Sequence, residues 1–349
     1  MESTNGTLNE ALRRLHRSGP EFRGFLANHG PMAVEALVRH GRENTVHRWL
    51  DGYTTRLEEV PRRLAPIIDA EWREALGDTG RAADWTDYFI RHIAERPWRE
   101  VLTEWWPRLL PGIAGAAAHP VIRVGHAVRA LDEGGEDEAV LAELAHALGY
   151  WAARHTPLPA EVAPAGDSTP ARALPALPRV AEPGGLPLRG YAQLPGTPGW
   201  RETVESVRVP GTPEEIREQL TALVRAATLH YGEFGHGNGV MLVHAATAPN
   251  AVLRTLPALP EELWAPSFTT AWAVTAAITS IYAADTPRTA PDASSLAPEE
   301  VFERAVEHGD EHVIKFADTA LDVAAAADEG DERALAAALN AIRLIDRDD

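Results

Sequence analysis

Apolar residues recur at intervals of three and four through most of the chain and almost nowhere alternate with polar ones, so the pattern predicts an all-α fold. The spacing predicts helices over Leu8–Ala27, weakened near Gly19-Pro20, then Met32–Arg39, the tryptophan-dense Trp85–Arg108, His119–Leu131 and Ala139–Arg154. Further helices are expected from Pro213 onward, over Val240–Leu253, Phe268–Ala284, Pro298–Ala327 and Asp331–Ile345. Pro31 and Pro120 suit a first helical turn, where the missing N–H has no partner to lose. Thr212-Pro213-Glu214-Glu215 reads as an N-cap followed by an acidic first turn. Trp85, Trp98, Trp105 and Trp106 fall at helical spacing among charges, which suits core and rim packing better than ligand stacking. From 156 to 213 proline recurs every few residues with little periodicity, so this stretch is a lid, a strap wrapped on the surface, or a linker. The expected organisation is one large helical domain over 1–349. It has an N-terminal helical half at 8–155, the Pro/Gly-rich lid or strap at 156–213 and a C-terminal helical half at 214–349.

Composition narrows the chemistry. There is no cysteine, which removes disulfides, thiolate metal sites and a cysteine nucleophile together. A formal charge of −18 argues against a nucleic-acid surface and against anionic membranes as partners. The N-terminal residues lack the basic and apolar regions of a signal peptide, and no apolar run reaches spanning length. A soluble cytoplasmic protein, monomer or homodimer, is the expectation.

Lys315 is the only lysine in a chain that otherwise uses arginine, and arginine cannot lose its proton where lysine can. It lies in His308-Gly309-Asp310-Glu311-His312-Val313-Ile314-Lys315, where a continuous helix would put His308, His312 and Lys315 on one stripe. His29, His119, His126, His244 and His312 all fall in apolar helices or at helix starts. Any one of them alone is better read as a core histidine; as a set they raise a metal site, and imidazole suits Fe, Zn, Cu and Ni alike. His16, His40, His47, His92, His146 and His155 sit among charges or at helix ends and read as surface residues. His119, Arg123 and His126 form a polar stripe along an apolar helix. The glycine loop Gly235-His236-Gly237-Asn238-Gly239 lacks the preceding strand of a dinucleotide site and reads as a turn. No nucleophile elbow and no repeated Glu-x-x-His pair is present.

Five segments together resemble the questin oxidase-like family: Asn28-His29-Gly30-Pro31-Met32, Trp98-Arg99-Glu100-Val101-Leu102, His119-Pro120-Val121-Ile122-Arg123, Gly149-Tyr150-Trp151-Ala152-Ala153-Arg154 and His308 through Lys315. The resemblance runs from residue 8 to residue 327. It implies an all-helical oxygenase of polyketide tailoring, related to fungal enzymes that open a ring of an anthraquinone or similar aromatic polyketide with a Baeyer–Villiger-like outcome. Its implied partners are a small aromatic substrate and dioxygen, with NADPH as a possible reductant. No flavin fingerprint is present, so Fe(II) fits the residues better than flavin. The resemblance implies His29, His119, His244, His312 and Lys315 as metal ligands. Arg123 and His126 depart from the fungal pattern, which has a histidine and an aromatic there.

A protonated amine cannot bind iron, but an amine that has taken up carbon dioxide is a carbamate, an anionic oxygen donor that arginine cannot form. Lys315 is therefore expected to be carboxylated, with Arg123 and His126 keeping a phenol ionised. Two other classes remain open: a metal hydrolase with a carbamylated lysine, and a helical binding or scaffold protein with structural histidines.

Overall fold

A computed structural model describes residues 4–159, 163–182, 187–327 and 331–347. Parts of the 156–213 strap, at 160–162 and 183–186, lie outside the described residues. The fold is all-α, as the periodicity predicts; among the described residues the only strands are a two-stranded hairpin. The chain forms two compact units, Met1–Pro157 with Arg254–Pro260, and Leu158–Leu253 with Glu261–Asp349.

The first unit contains α1 (Thr4–Leu15), α2 (Gly30–Arg39), α3 (Glu43–Tyr53), α4 (Trp72–Ala75), α5 (Ala82–Glu95), α6 (Trp98–Leu109), α7 (His119–Gly134) and α8 (Glu138–Ala153). Helices α5 and α7 pack on α8, and α2 packs on α1 and α7. Trp85, Trp98, Trp105 and Trp106 are all buried, which bears out the packing role. The Trp105 ring meets Trp72, Trp85 and Phe89 within 5.4 Å, centroid to centroid. The helix expected to reach Ala27 instead stops at Leu15. Gly19 and Pro20 turn the chain, and β1 (Glu21–Phe22) pairs antiparallel with β2 (Leu26–Ala27) around Arg23 and Gly24, both at positive φ.

Directly before α7 lies an unusual turn. Ala116, Ala117 and Ala118 all have left-handed backbones, with φ of 44°, 55° and 66°. A Cβ at Gly115 would stand 1.9 Å from the Arg154 carbonyl oxygen, so the chain can enter this turn only through glycine. Each left-handed alanine costs about 1–2 kcal/mol relative to the right-handed form, and such strain is held where the surrounding structure needs it. Ala117→Gly is expected to raise stability by about 0.5–1 kcal/mol, the relieved strain less the extra freedom given to the unfolded chain. Urea unfolding checks this; a destabilised variant would mean the backbone is not strained there.

The second unit contains α9 (Pro170–Ala173), α10 (Pro187–Tyr191), α11 (Trp200–Glu205), α12 (Pro213–Phe234), α13 (Gly239–Leu242), α14 (His244–Thr255, in this unit as far as Leu253), α15 (Trp264–Tyr282), α16 (Pro298–His308), α17 (Glu311–Ala325) and α18 (Glu332–Leu344). Helices α12, α17 and α18 pack on one another, and α15 packs on α12. The Thr212 hydroxyl accepts from Glu215 N, as the N-cap reading expects. The Pro-rich stretch holds α9 to α11, and its Leu174, Tyr191, Leu194 and Trp200 are buried. Its backbone is tied into the same unit, with Val180 N donating to Ser280 O at 2.9 Å and Gly166 N to Glu205 O at 2.9 Å.

The helix expected over Pro298–Ala327 is two helices. Gly309 takes a φ of +86° and ends α16, and Asp310 caps α17 by accepting from the backbone N–H of His312 and Val313 at 2.8 and 3.1 Å. His308 is therefore not on the stripe of His312 and Lys315. Its Nε2–H donates to the Ile345 carbonyl at 3.0 Å, which ties the end of α16 to the end of α18.

Candidate functional site

His29 is the residue immediately before α2, and several bonds fix its backbone. Its N–H donates to the Tyr53 hydroxyl at 2.6 Å, the Asn28 amide donates to the Gly19 carbonyl, and the Asn28 side-chain oxygen accepts from Gly30 N. Gly30 lets the chain pass close to Leu15, since a Cβ there would meet a Leu15 methyl at 2.4 Å and push that side chain aside. His119 opens α7, and the left-handed alanine turn folds the Ala116 carbonyl back onto its Nδ1–H. That hydrogen bond fixes the tautomer and leaves Nε2 as the acceptor. The His29 and His119 rings are both buried, 4.3 Å apart and edge to face at 88°, with ligand atoms within 4.8 Å of each other.

The second unit assembles its own group in the same manner. His244 opens α14 and donates Nδ1–H to the Met241 carbonyl at 3.0 Å, again leaving Nε2 as the acceptor. Lys315, on α17, reaches that nitrogen, with Nζ 2.8 Å from His244 Nε2. Both residues are 0% exposed. Burial pushes the Lys315 ammonium down to about 7, against the opposing pull of Glu311 and Asp310. The His312 ring lies 5.6 Å from that of His244, edge to face, with ligand atoms within 4.8 Å, and its Nδ1 is 3.5 Å from Asp310.

These two groups have the donor chemistry of a metal site. Each unit brings together a pair of imidazoles. In each pair one histidine, His119 or His244, has its Nδ1–H held by a backbone carbonyl three residues earlier and presents Nε2, an arrangement typical of metal-ligating histidine. The predicted set is thus gathered, within each unit, as His29 with His119 and as His244 with His312 and Lys315.

Arg123 and His126 lie on α7, and both are buried in ion pairs that the sequence did not reveal. Arg123 grips Glu143 of α8 through Nε and Nη2, at 2.5 and 2.8 Å. His126 donates Nδ1–H to Glu35 of α2 at 2.6 Å, and Arg129 donates Nε–H to the other oxygen of the same carboxylate at 2.8 Å. On its far side His126 Nε2 is 3.5 Å from Arg254. Burial pushes the Glu35 carboxyl up, but the Arg129 charge and the His126 hydrogen bond outweigh it and hold the group at about 2. Glu143 follows the same logic with Arg123 and His16 and is also held at about 2. His126 is lowered, chiefly by burial. Glu35, Glu143 and Arg129 were missed from the sequence, although a carboxylate inside Met32-to-Val38 or inside Ala139-to-Leu148 is a charge on an apolar face. The surface reading of His16, His92 and His146 is corrected: His92 is buried, and His16 joins Glu143 at 2.8 Å while stacking on His146.

Residues 27–179 match the family model described as Questin oxidase-like, a family of oxidases, and over that stretch the resemblance read from the sequence is borne out. The matched residues include His29, His119, Arg123 and His126; His244, His312 and Lys315 lie beyond them. No curated protein matches the chain. No helix among the described residues is long and apolar enough to cross a membrane.

Proposed function

From the questin oxidase-like match over residues 27–179, we propose that this protein is an iron-dependent oxygenase that oxidatively cleaves a ring of an anthraquinone-type or other aromatic polyketide. His29, His119, His244 and His312 are the imidazole ligands, and Lys315, carboxylated on Nζ, is the anionic one. The observation that carries this reading is the chain's only lysine, fully buried and 2.8 Å from His244 Nε2. A buried cation against an imidazole lone pair is costly, whereas a carbamate at that position turns the same side chain into an oxygen donor. Its formation balances simply: the neutral amine adds to carbon dioxide, a C–N bond forms, and one proton leaves. Fe(II) bound there would supply dioxygen activation.

The protein's own residues do the remainder. The Ala116 and Met241 carbonyls hold His119 and His244 in the tautomer that presents Nε2. Asp310 caps α17 and fixes the helical turn that carries His312 toward Lys315. Glu35 holds Nδ1–H of His126, so a proton taken from a phenol substrate would go to Nε2. Glu143 holds Arg123 through Nε and Nη2, so the remaining guanidinium N–H groups of Arg123 would be the ones to donate to the phenolate.

Purification without oxygen, elemental analysis, and oxygen uptake with a panel of hydroxyanthraquinones, with and without NADPH, test the reading. Iron in stoichiometric amount and uptake that depends on both iron and substrate are expected. A metal-free protein inert to dioxygen would sink it in favour of a scaffold, and a metal protein that hydrolyses esters or amides without oxygen would favour the hydrolase.

A further inference from the structure

Away from the proposed ligands, the first unit holds a cavity of about 420 Å³, lined by His16, Ser18, Val60, Ala83, His146 and Tyr150 among others. That volume falls in the range of small-molecule sites, roughly 300–1,000 Å³. One wall is the stretch 57–71 ahead of α4, which forms no helix and is pinned on both sides of Val60 and Pro61. On one side Gly19 N donates to the Glu58 carbonyl at 2.8 Å and Gly24 N to the Glu58 carboxylate at 2.8 Å. On the other, Leu64 N and Ala65 N donate to Asp84, and Arg63 pairs with Asp87. The wall is held by the fold, and its Val60 side chain is 48% exposed.

The opposite wall is aromatic. His16 and His146 stack with centroids 4.1 Å apart and planes within 7°. Glu143 accepts Nε2–H of His16 at 2.8 Å, which fixes that ring and directs its tautomer. The Tyr150 hydroxyl donates to Glu21 at 3.0 Å, leaving its ring as cavity surface. Every charge at this cavity is closed in a pair: Arg63 with Asp87, and Glu143 behind His16 with Arg123. Burial pushes His146 down to about 3, so it is neutral near pH 7. The Ser18 hydroxyl and the His146 ring make no hydrogen bond among the described residues, so both can serve a guest.

We propose that this cavity is a second small-molecule site, which takes an uncharged flat aromatic carrying a hydroxyl or carbonyl group, held against the stacked imidazoles and Tyr150 and under Val60. Balanced walls leave nothing to offset an ionic guest, which would be desolvated without a partner. Flat apolar walls favour a ring, and Ser18 and His146 favour one polar group on it. The site does not depend on the oxygenase reading, because binding here needs neither metal nor turnover.

Calorimetric titration of the full chain with 1-naphthol, and separately with the anion 1-naphthoate, tests the assignment. Saturable submillimolar binding of 1-naphthol is expected, with 1-naphthoate weaker by at least roughly tenfold. Ala83→Phe fills the cavity, and Val60→Trp, on a half-exposed residue that folding does not need, covers its mouth. Both are expected to weaken 1-naphthol by roughly tenfold or more, with melting temperatures reporting that each variant is folded. No binding to the wild type, equal binding of the two probes, or 1-naphthol binding unchanged in folded Val60→Trp would each overturn the proposal.

Discussion

Lys315→Met is expected to abolish stoichiometric iron binding and to lower oxygen uptake at least about 100-fold, the scale set by losing a ligand that tunes a metal. The metal-free variant is expected to fold as well as the metal-free wild type, or better. Lys315 is fully buried, and among the described residues its amine makes one hydrogen bond, with the His244 nitrogen. Replacing a buried ionisable group by an apolar one of similar length is commonly neutral or stabilising by about 1–4 kcal/mol. A purely structural lysine predicts the reverse, with stability lost and iron unaffected. The comparison must be made on metal-free proteins, since bound metal would itself stabilise the native state. Lys315→Arg separates charge from chemistry, because arginine keeps the cation but forms no carbamate. It is expected to lose iron as completely as Lys315→Met. Iron content unchanged in both variants, measured by elemental analysis, would remove Lys315 from the ligand set.

The fold was legible because helices announce themselves through local periodicity, and α2, α7, α8, α15 and α18 lie where the three-and-four spacing put them, whereas the helix expected over Trp85–Arg108 is two, α5 and α6, parted before Trp98 at Pro97. Boundaries that depend on one residue were harder. Gly309 was visible as a glycine, but its positive φ and the cap by Asp310 decide that α16 ends at His308, and that decision separated His308 from His312. The candidate site was legible in part because its residues are chemical outliers: a lone lysine and polar groups at the starts of apolar helices. The strained turn that aims His119 was invisible, since three alanines carry no signal of a left-handed backbone. The ionic interior was invisible for a different reason. Glu35 meets Arg129 across 94 positions, and nothing local in either helix indicates the partner.

That ionic interior should make the protein sensitive to acid, and the sign can be fixed from the two carboxylates. Glu35 and Glu143 titrate at about 2 when folded and near 4.5 when unfolded. A depressed carboxylate contributes stability that is fully present above pH 4.5 and is lost as the pH falls toward 2, because the unfolded chain takes up protons that the native one refuses. Each contributes on the order of 3 kcal/mol and loses it at about 1.4 kcal/mol per pH unit. Glu143→Gln is expected to act in two ways. It leaves the buried Arg123 without its counter-charge, which costs about 3–5 kcal/mol near neutral pH. It also removes one of the two proton uptakes, so the acid slope of stability between pH 4.5 and pH 3 becomes shallower by about 1.4 kcal/mol per unit. Urea unfolding of the wild type and Glu143→Gln at pH 7, 4.5, 4 and 3 gives both quantities. A variant that is destabilised at neutral pH but keeps the wild-type acid slope would show that Glu143 supports the helix pair by packing and not by its charge.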